Sequence, residues 1–221
     1  MSEELQENTV RYEIANNIAW VYFNRPEKRN AFSRAMVADG IAAVDFLVAA
    51  GVTVATIEAA GSVFSAGDDV SPEERDRGGV NTVEQFVERV HSAAVFWIAV
   101  ADGPVVGAAV ALAARCPVVL ATERAWFRLP ERDLGVYPGF VVEQIAPVVG
   151  PRRALELAVG ARRIPATEAV AIGLATELAE DPVEDAVARW VGPLRDAPAF
   201  TAQAWSDWRR AVPGPAGEVL R

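Results

Sequence analysis

The chain has 221 residues, enough for one sizeable core, and 52% of them are hydrophobic, which excludes intrinsic disorder. Its net charge of −9 argues against general nucleic-acid or anionic-membrane binding, and no apolar run reaches membrane-spanning length without a charge or turn residue. The polar, acidic start MSEELQEN is unlike a signal peptide, so the expectation is a soluble, cytoplasmic protein.

Val10, Tyr12 and Ile14 alternate with polar residues as in a half-buried strand, Asn16–Asn17 makes a turn, and Ile18–Phe23 follows as a second strand, giving a hairpin. After a loop at Pro26 and Glu27–Asn30, Ser33 can cap a helix running to about Ala50, with Gly51 ending it. Val52–Glu58 reads as a buried strand and Ser71–Gly79 as a polar, Gly-rich loop. Thr82 and Gln85 fit a capping box that opens a helix to about Phe96. Trp97–Ala101, Pro117–Ala121, Ala125–Arg128 and Leu174–Leu178 read as strands. Helices are expected over Gly107–Arg115, Phe140–Val148, Pro151–Val159, Thr167–Ile172, Val183–Arg195 and Pro198–Val212. The order predicts an α/β chain with hairpins feeding crossovers, hence a mixed sheet. Residues 1–180 are taken as the core, 181–212 as a C-terminal helical segment and 213–221 as a disordered tail.

Two segments stand out. Ala59–Val70 (AAGSVFSAGDDV) and Asp102–Arg115 (DGPVVGAAVALAAR) each lead from an apolar run through a Gly-containing turn toward a helix start. Unbonded backbone N–H groups and the positive helix end collect at such places, so two of these turns aimed at one point would stabilise an oxygen that becomes negative. The single cysteine, Cys116, excludes an intrachain disulfide and reads as a buried structural thiol. The single histidine, His91, excludes a multi-His metal site and reads as a packed or surface imidazole. Nearly all of the 21 basic residues are arginine, with Lys28 the one lysine, a bias of coding more than of function.

Five segments together resemble the crotonase (enoyl-CoA hydratase/isomerase) superfamily: FNRPEKRNAFS (Phe23–Ser33), GSVFSAGDDV (Gly61–Val70), ADGPVVGAA (Ala101–Ala109), FRLPERDLGVYPG (Phe127–Gly139) and Val149–Leu178. The resemblance implies a spiral of ββα units, here with a shortened C-terminal helical region. It also implies acyl-CoA or acyl-carrier thioesters as substrates, no cofactor beyond the coenzyme A of the thioester itself, no metal, and a homotrimer or hexamer. By motif, the backbone N–H groups of Asp68 (after Gly67) and Ala108 (after Gly107) would form the oxyanion hole. Arg29, Ala31, Ser65, Ala66, Gly67, Val70, Gly107, Pro130 and Gly139 would line the substrate and CoA path.

Hydratases of this superfamily use two glutamates. The first falls four residues after Gly107, where this chain has Ala111; the second falls on Glu131 in RLPERDLG. Losing one acid–base group typically costs roughly 10²–10⁴ in rate, so ordinary hydration is disfavoured, and a lone glutamate suits moving a proton between carbons of a β,γ-unsaturated acyl chain. Trp126, Phe127 and Leu129 are expected to make its surroundings partly apolar and to raise its pKa. Asp68 brings a carboxylate near a developing enolate, so its side chain must turn away, be paired or be protonated. Gly139 replaces a catalytic Asp of some relatives. Asp69, Asp133 and Glu143 read as surface or capping acids. Trp205, Trp208 and Arg209–Arg210 are either the remnant of a lid or an amphipathic helix packed on the core.

The leading expectation is an enoyl-CoA isomerase-type proton shuttle with Glu131 as base. The alternatives are a decarboxylase or other lyase, weak hydration, and a catalytically silent acyl-thioester binder.

Overall fold

The computed structural model describes residues 8–75, 82–180 and 182–213. In chain order the elements are β1 (Val10–Ala15), β2 (Ile18–Phe23), a 3-10 turn (Pro26–Lys28), α1 (Arg34–Ala49), β3 (Val54–Ala59), α2 (Pro72–Arg75), α3 (Val83–Ser92), β4 (Phe96–Ala101), β5 (Val105–Val106), α4 (Ala108–Arg115), β6 (Val118–Ala121), β7 (Trp126–Arg128), a second 3-10 turn (Glu131–Leu134), α5 (Gly139–Val149), α6 (Pro151–Gly160), β8 (Ile164–Pro165), α7 (Ala166–Ala171), β9 (Glu177–Leu178), α8 (Val183–Asp196) and α9 (Pro198–Ala211).

The main sheet has the order β1-β2-β3-β4-β6-β9. β1 pairs antiparallel with β2, Val10 opposite Phe23, and every later pairing is parallel. β3, β4 and β6 are nearly continuous apolar runs because helices cover a parallel sheet; all six residues of β4 are buried. The second sheet, β5-β7-β8, has three very short strands. Under the site loops, Phe23 meets Phe32, Phe64 and Phe86 edge-on, at centroid distances of 5.4, 5.5 and 6.3 Å.

The expected caps are present. The Ser33 hydroxyl accepts from Met36 N at 3.2 Å, and Thr82 and Gln85 bond reciprocally at the start of α3. Other boundaries differ from expectation. α3 stops at Ser92, not Phe96, because Phe96 N donates to Thr53 O and joins β4 to β3. The short strands β5 and β8 were not expected, and β9 is limited to Glu177–Leu178. One helical turn, α2, occupies Pro72–Arg75 in the stretch read as a loop; residues 76–79 of that stretch, and 214–221 of the proposed tail, lie outside the described residues.

α9 packs on the body through its tryptophans, as expected of a packed helix. Trp205 is buried and donates to Ala93 O at 2.6 Å; Trp208 donates to Arg115 O at 3.1 Å. Arg115, wholly buried at the end of α4, donates through Nη1 to the carbonyls of Val212 and Pro213 and through Nε to Gln144 Oε1. Among the described residues, no helix is long and apolar enough to cross a membrane. Cys116 is buried, and burial pushes its thiol pKa up.

His91 is buried beside the Trp205 ring; burial, then Arg115 and Arg209, lowers its pKa to about 4. A base held neutral in the fold binds fewer protons than in the unfolded chain, so its contribution to stability is complete above about 6.5 and is lost as pH falls toward about 4. We expect urea unfolding to show the parent losing more stability between pH 7 and pH 5 than His91→Phe does; parallel losses would contradict the assignment.

Candidate active site

The site begins with two consecutive left-handed residues, Arg29 (φ 54°) and Asn30 (φ 51°). Asparagine tolerates this conformation, and its amide here holds three segments together. Asn30 Oδ1 accepts from Arg25 N at 2.8 Å, and Nδ2 donates to Ala60 O and Val63 O at 2.9 and 2.8 Å. Its carbonyl accepts the Ser65 hydroxyl at 2.8 Å, and Ser65 Oγ in turn accepts from Gly67 N at 3.1 Å. Ala66 N donates to Arg29 O, so the Arg29–Ala31 segment and the Ser65–Gly67 turn are locked side by side.

That lock determines which amide stays unbonded. Phe32 forms an isolated parallel bridge with Asp68, Phe32 N donating to Gly67 O and Asp69 N to Phe32 O. In such a pairing the central residue turns its own N–H to the other side, and Asp68 N has no acceptor among the described residues. A second parallel bridge, Ser65 with Val105, sets the chain that follows beside this turn. Gly107 N donates to Arg128 O, and Ala108 then opens α4. Its N–H, in the first helical turn, has no intrahelical acceptor.

Two glycines bring these amides together. Gly67 has φ 82°, and a Cβ on it would stand 2.7 Å from Val106 O and 3.3 Å from Ala108 N. Gly107 has φ 56°, and a Cβ there would stand 2.9 Å from Glu131 Oε1. Gly67 combines a positive φ with a backbone atom where a Cβ would go, and Gly107 has a positive φ with only the movable end of Glu131 beside it, so the first requires glycine by space and conformation and the second by conformation. The Gly67 turn thus passes close to the Ala108 amide, and the Glu131 carboxylate lies beside Gly107.

Glu131 is half-buried at the head of the second 3-10 turn, and its Oε2 is buried without a hydrogen-bond partner among the described residues. The neighbouring arginines are engaged elsewhere: Arg128 and Arg132 both pair with Asp133, and Arg132 also donates to Val159 O. Burial raises the Glu131 carboxyl above the ordinary carboxylate range, in line with its expected apolar surroundings. Asp68 reaches solvent, yet the cleft desolvates its carboxylate, and with the charges of Glu84 and Glu131 nearby its pKa rises to about 6. It has no arginine partner among the described residues; Arg25 pairs with Asp69 instead, at 2.6 Å, and holds the Asp69 carboxyl below its usual range.

The remaining positions fall as follows. Ala31 and Ser65 are buried in the locked segment, Ala66 is half-buried, and Arg29 is exposed. Pro130 precedes Glu131 on the 3-10 turn. Val70 is exposed beyond the turn, and Gly139 opens α5 against the Tyr137 ring, with no close contact to either turn. Ala111 is wholly buried in α4. Asn30 and the field of Glu84 on Asp68 were not anticipated; the asparagine beside a second left-handed residue is the signal that could have marked the former.

The profile of the enoyl-CoA hydratase/isomerase family matches residues 13–215. The chain is 30% identical over 172 residues to the enoyl-CoA delta isomerase 3, peroxisomal, of Mus musculus, covering 74% of this chain and 54% of that protein. It is 30% identical over 185 residues to the hydroxycinnamoyl-CoA hydratase-lyase of Pseudomonas fluorescens, covering 76% and 66%. Among the curated isomerases it matches, the chain spans about half of their length. Its fold matches Pseudomonas aeruginosa AtuE (TM-score 0.83, 26% identity, 95% of this chain and 86% of that one). It also matches an enoyl-CoA hydratase/isomerase from Xanthobacter autotrophicus Py2 (TM-score 0.80, 30% identity, 92% and 79%).

Asn30→Ala removes the three hydrogen bonds of a buried side-chain amide and the residue type suited to its backbone conformation. It should cost about 3 kcal/mol or more, read by urea unfolding, whereas Lys28→Ala in the exposed turn before it should change stability by less than about 0.5 kcal/mol. The family profile and the shared architecture place this chain in the crotonase superfamily, within the enoyl-CoA hydratase/isomerase family.

Proposed function

We propose that the protein isomerises the double bond of 3-enoyl-CoA or related acyl-thioesters, with Glu131 as the one proton carrier. The observation that carries this reading is a partly dry carboxylate, its Oε2 without a hydrogen-bond partner among the described residues, beside the turn that presents the Ala108 amide. The thioester carbonyl accepts hydrogen bonds from Asp68 N–H and Ala108 N–H. Glu131 takes a proton from Cα, the C–H electron pair forms the enolate, and the charge settles on the thioester oxygen. The protonated Glu131 then returns the proton at Cγ as the electrons move back, leaving a 2-enoyl thioester. The buried Ala111 side chain offers no second acid for delivering water, which favours isomerisation over hydration.

One observation favours a second reading, a silent acyl-thioester binder. Asp68, ionised above about pH 6 with no ion-pair partner among the described residues, opposes an enolate on its own amide. Incubations with 3-enoyl-, 2-enoyl- and malonyl-CoA separate the two, read by liquid chromatography that resolves the equal-mass double-bond isomers, with mass detection for the other products. Isomerisation of the 3-enoyl ester that falls by about 10²–10⁴ in Glu131→Gln supports the shuttle. Binding without turnover of any ester supports the silent binder, and turnover unchanged in Glu131→Gln removes this residue from the mechanism.

The Asp68 side chain supplies a pH signature. Protonated at pH 5, it adds no charge; ionised at pH 8, it repels the enolate. We expect Asp68→Asn to match the parent at pH 5 and to exceed it in kcat by about three- to tenfold at pH 8, equivalent to relieving about 1 kcal/mol of repulsion. A ratio independent of pH would show that the carboxylate lies outside the field of the reacting oxygen.

A further inference from the structure

A cavity of about 430 Å³ lies between one face of the main sheet and α8. Trp20, Tyr22 and Glu58 line it on the sheet side, and Glu184, Val187 and Val191 on the helix side. Side chains alternate along β2, so Ala19, Val21 and Phe23 enter the core while Trp20 and Tyr22 stay half-buried on the opposite face. Tyr22 is aligned with Glu58 on β3, and Trp20 with Thr56. That register sets both rings beside one carboxylate. The helix does not close the space, because Gly192, also in the lining, has nothing within 4 Å of where a Cβ would stand.

The charges of this wall are unbalanced. Glu58 is half-buried, accepts the Thr56 hydroxyl at Oε1 (2.8 Å), and has no ion-pair partner among the described residues. Burial raises its carboxyl above the ordinary carboxylate range; the Thr56 bond offsets part of this, and the charge of Glu184 adds to it. Arg195 also lines the cavity, but its charge is committed: Nε and Nη2 donate to the two carboxylate oxygens of Asp196 at 2.7 and 3.1 Å. Arg11 and Glu13 on β1 are aligned with Tyr22 and Trp20, on the side away from β3, and are of opposite sign. The positive end of α8 is met by Glu184 and Asp185 in its own first turn. A desolvated carboxylate without a counter-charge is costly, and a cation brought by a ligand relieves that cost.

The lining also selects the kind of cation. Calcium and magnesium ions take about six or more oxygen ligands, and the described residues hold no group of three or more His, Cys, Asp or Glu suited to a metal. Aromatic rings beside a carboxylate suit an ammonium group, which the rings attract electrostatically, and Val187 and Val191 offer an apolar wall to its carbon skeleton. The volume lies in the range of small-molecule sites. We infer that this cavity binds a small organic cation, a quaternary or protonated amine on an apolar skeleton, between Trp20 and Tyr22 with Glu58 as its counter-ion. None of the lining residues belongs to the two glycine turns or to the Glu131 turn, so the inference stands apart from the acyl-thioester reading.

Two-dimensional NMR of the full chain, after sequence-specific assignment of the Trp20 indole N–H, tests it. The probes are choline and benzyltrimethylammonium; 3,3-dimethylbutan-1-ol, in which carbon replaces the ammonium nitrogen of choline; and 3,3-dimethylbutanoate, an anion of similar shape. At least one cation should shift the Trp20 signal and bind about tenfold or more tightly than the alcohol, with the anion weakest. Glu58→Gln keeps the shape of the side chain, removes its charge, and should bring the cation down to the affinity of the alcohol. No shift at Trp20 with either cation, equal binding of cation and alcohol, tightest binding of the anion, or a cation preference that survives in Glu58→Gln would overturn the inference. A cation held instead at Asp68 and Glu131 gives the first and last of these results. The comparison in the parent protein decides the matter even if the variant does not fold.

Discussion

The site depends on a close approach of two main-chain turns. Gly67 and Gly107 both sit at positive φ; a methyl group on Gly67 would strike the Val106 carbonyl, whereas one on Gly107 would meet only the movable end of the Glu131 side chain. Everything placed near the amide pair follows from that contact. It determines how near the Asp68 amide comes to the Ala108 amide, and it gives Glu131 a surface to lie on. The contact is a matter of excluded volume, so no side-chain interaction could substitute for it. What holds the turns in register is separate: Asn30 bonds three segments at once, and two isolated bridges, Phe32 with Asp68 and Ser65 with Val105, carry the chain from one turn to the other.

Much of this was legible in the chain. The hairpin, the Ser33 cap and the Thr82–Gln85 box follow local rules whose signals lie within a few residues, and they appear where those rules put them. Both glycine turns were visible as breaks between an apolar run and a helix. Their aim toward one another was not, because convergence is set by pairings between residues far apart in sequence. The assignment of Glu131 came from the resemblance; taken alone, a Pro–Glu dipeptide in a loop reads as a solvated carboxylate. The α3–β4 boundary was misplaced because Ala93–Phe96 is apolar throughout, and periodicity cannot tell a helix from a buried strand in so short a run. The strands β5 and β8 have two residues each and no period at all.

Arg115 shows the same limit in another form. An arginine closing an Ala-rich helix reads as a surface residue, favourable near the helix C-terminus. It is instead wholly buried, and its partners are Gln144 and the carbonyls of Val212 and Pro213, the last two roughly a hundred residues away along the chain. Trp205 and Trp208, placed on one face of α9, complete that attachment. Arg115 therefore links two parts of the molecule: α4, which begins at the Ala108 amide, also ends on the residue that holds the C-terminal helix. Removing such a guanidinium leaves several carbonyls without a donor, so its burial costs less than its absence would.

The charges around the site bear on the kind of reaction it suits. Arg25 is committed to Asp69, and Arg128 and Arg132 to Asp133. No cation among these is left for Glu131 or Asp68; in the proposed shuttle the substrate oxygen is met by amide dipoles and the N-terminus of α4. Under the proposed shuttle this is sufficient, because no net charge is created. The negative charge that begins on Glu131 passes to the enolate oxygen as the carboxyl takes the proton, and it returns when the proton is delivered. Burial, by raising the carboxyl pKa, strengthens Glu131 as a base. The two amides stabilise the enolate at the other end of the same transfer. A site needing to hold a permanent anion would require a free guanidinium. One that passes a single charge between a half-buried carboxylate and a pair of fixed N–H groups does not.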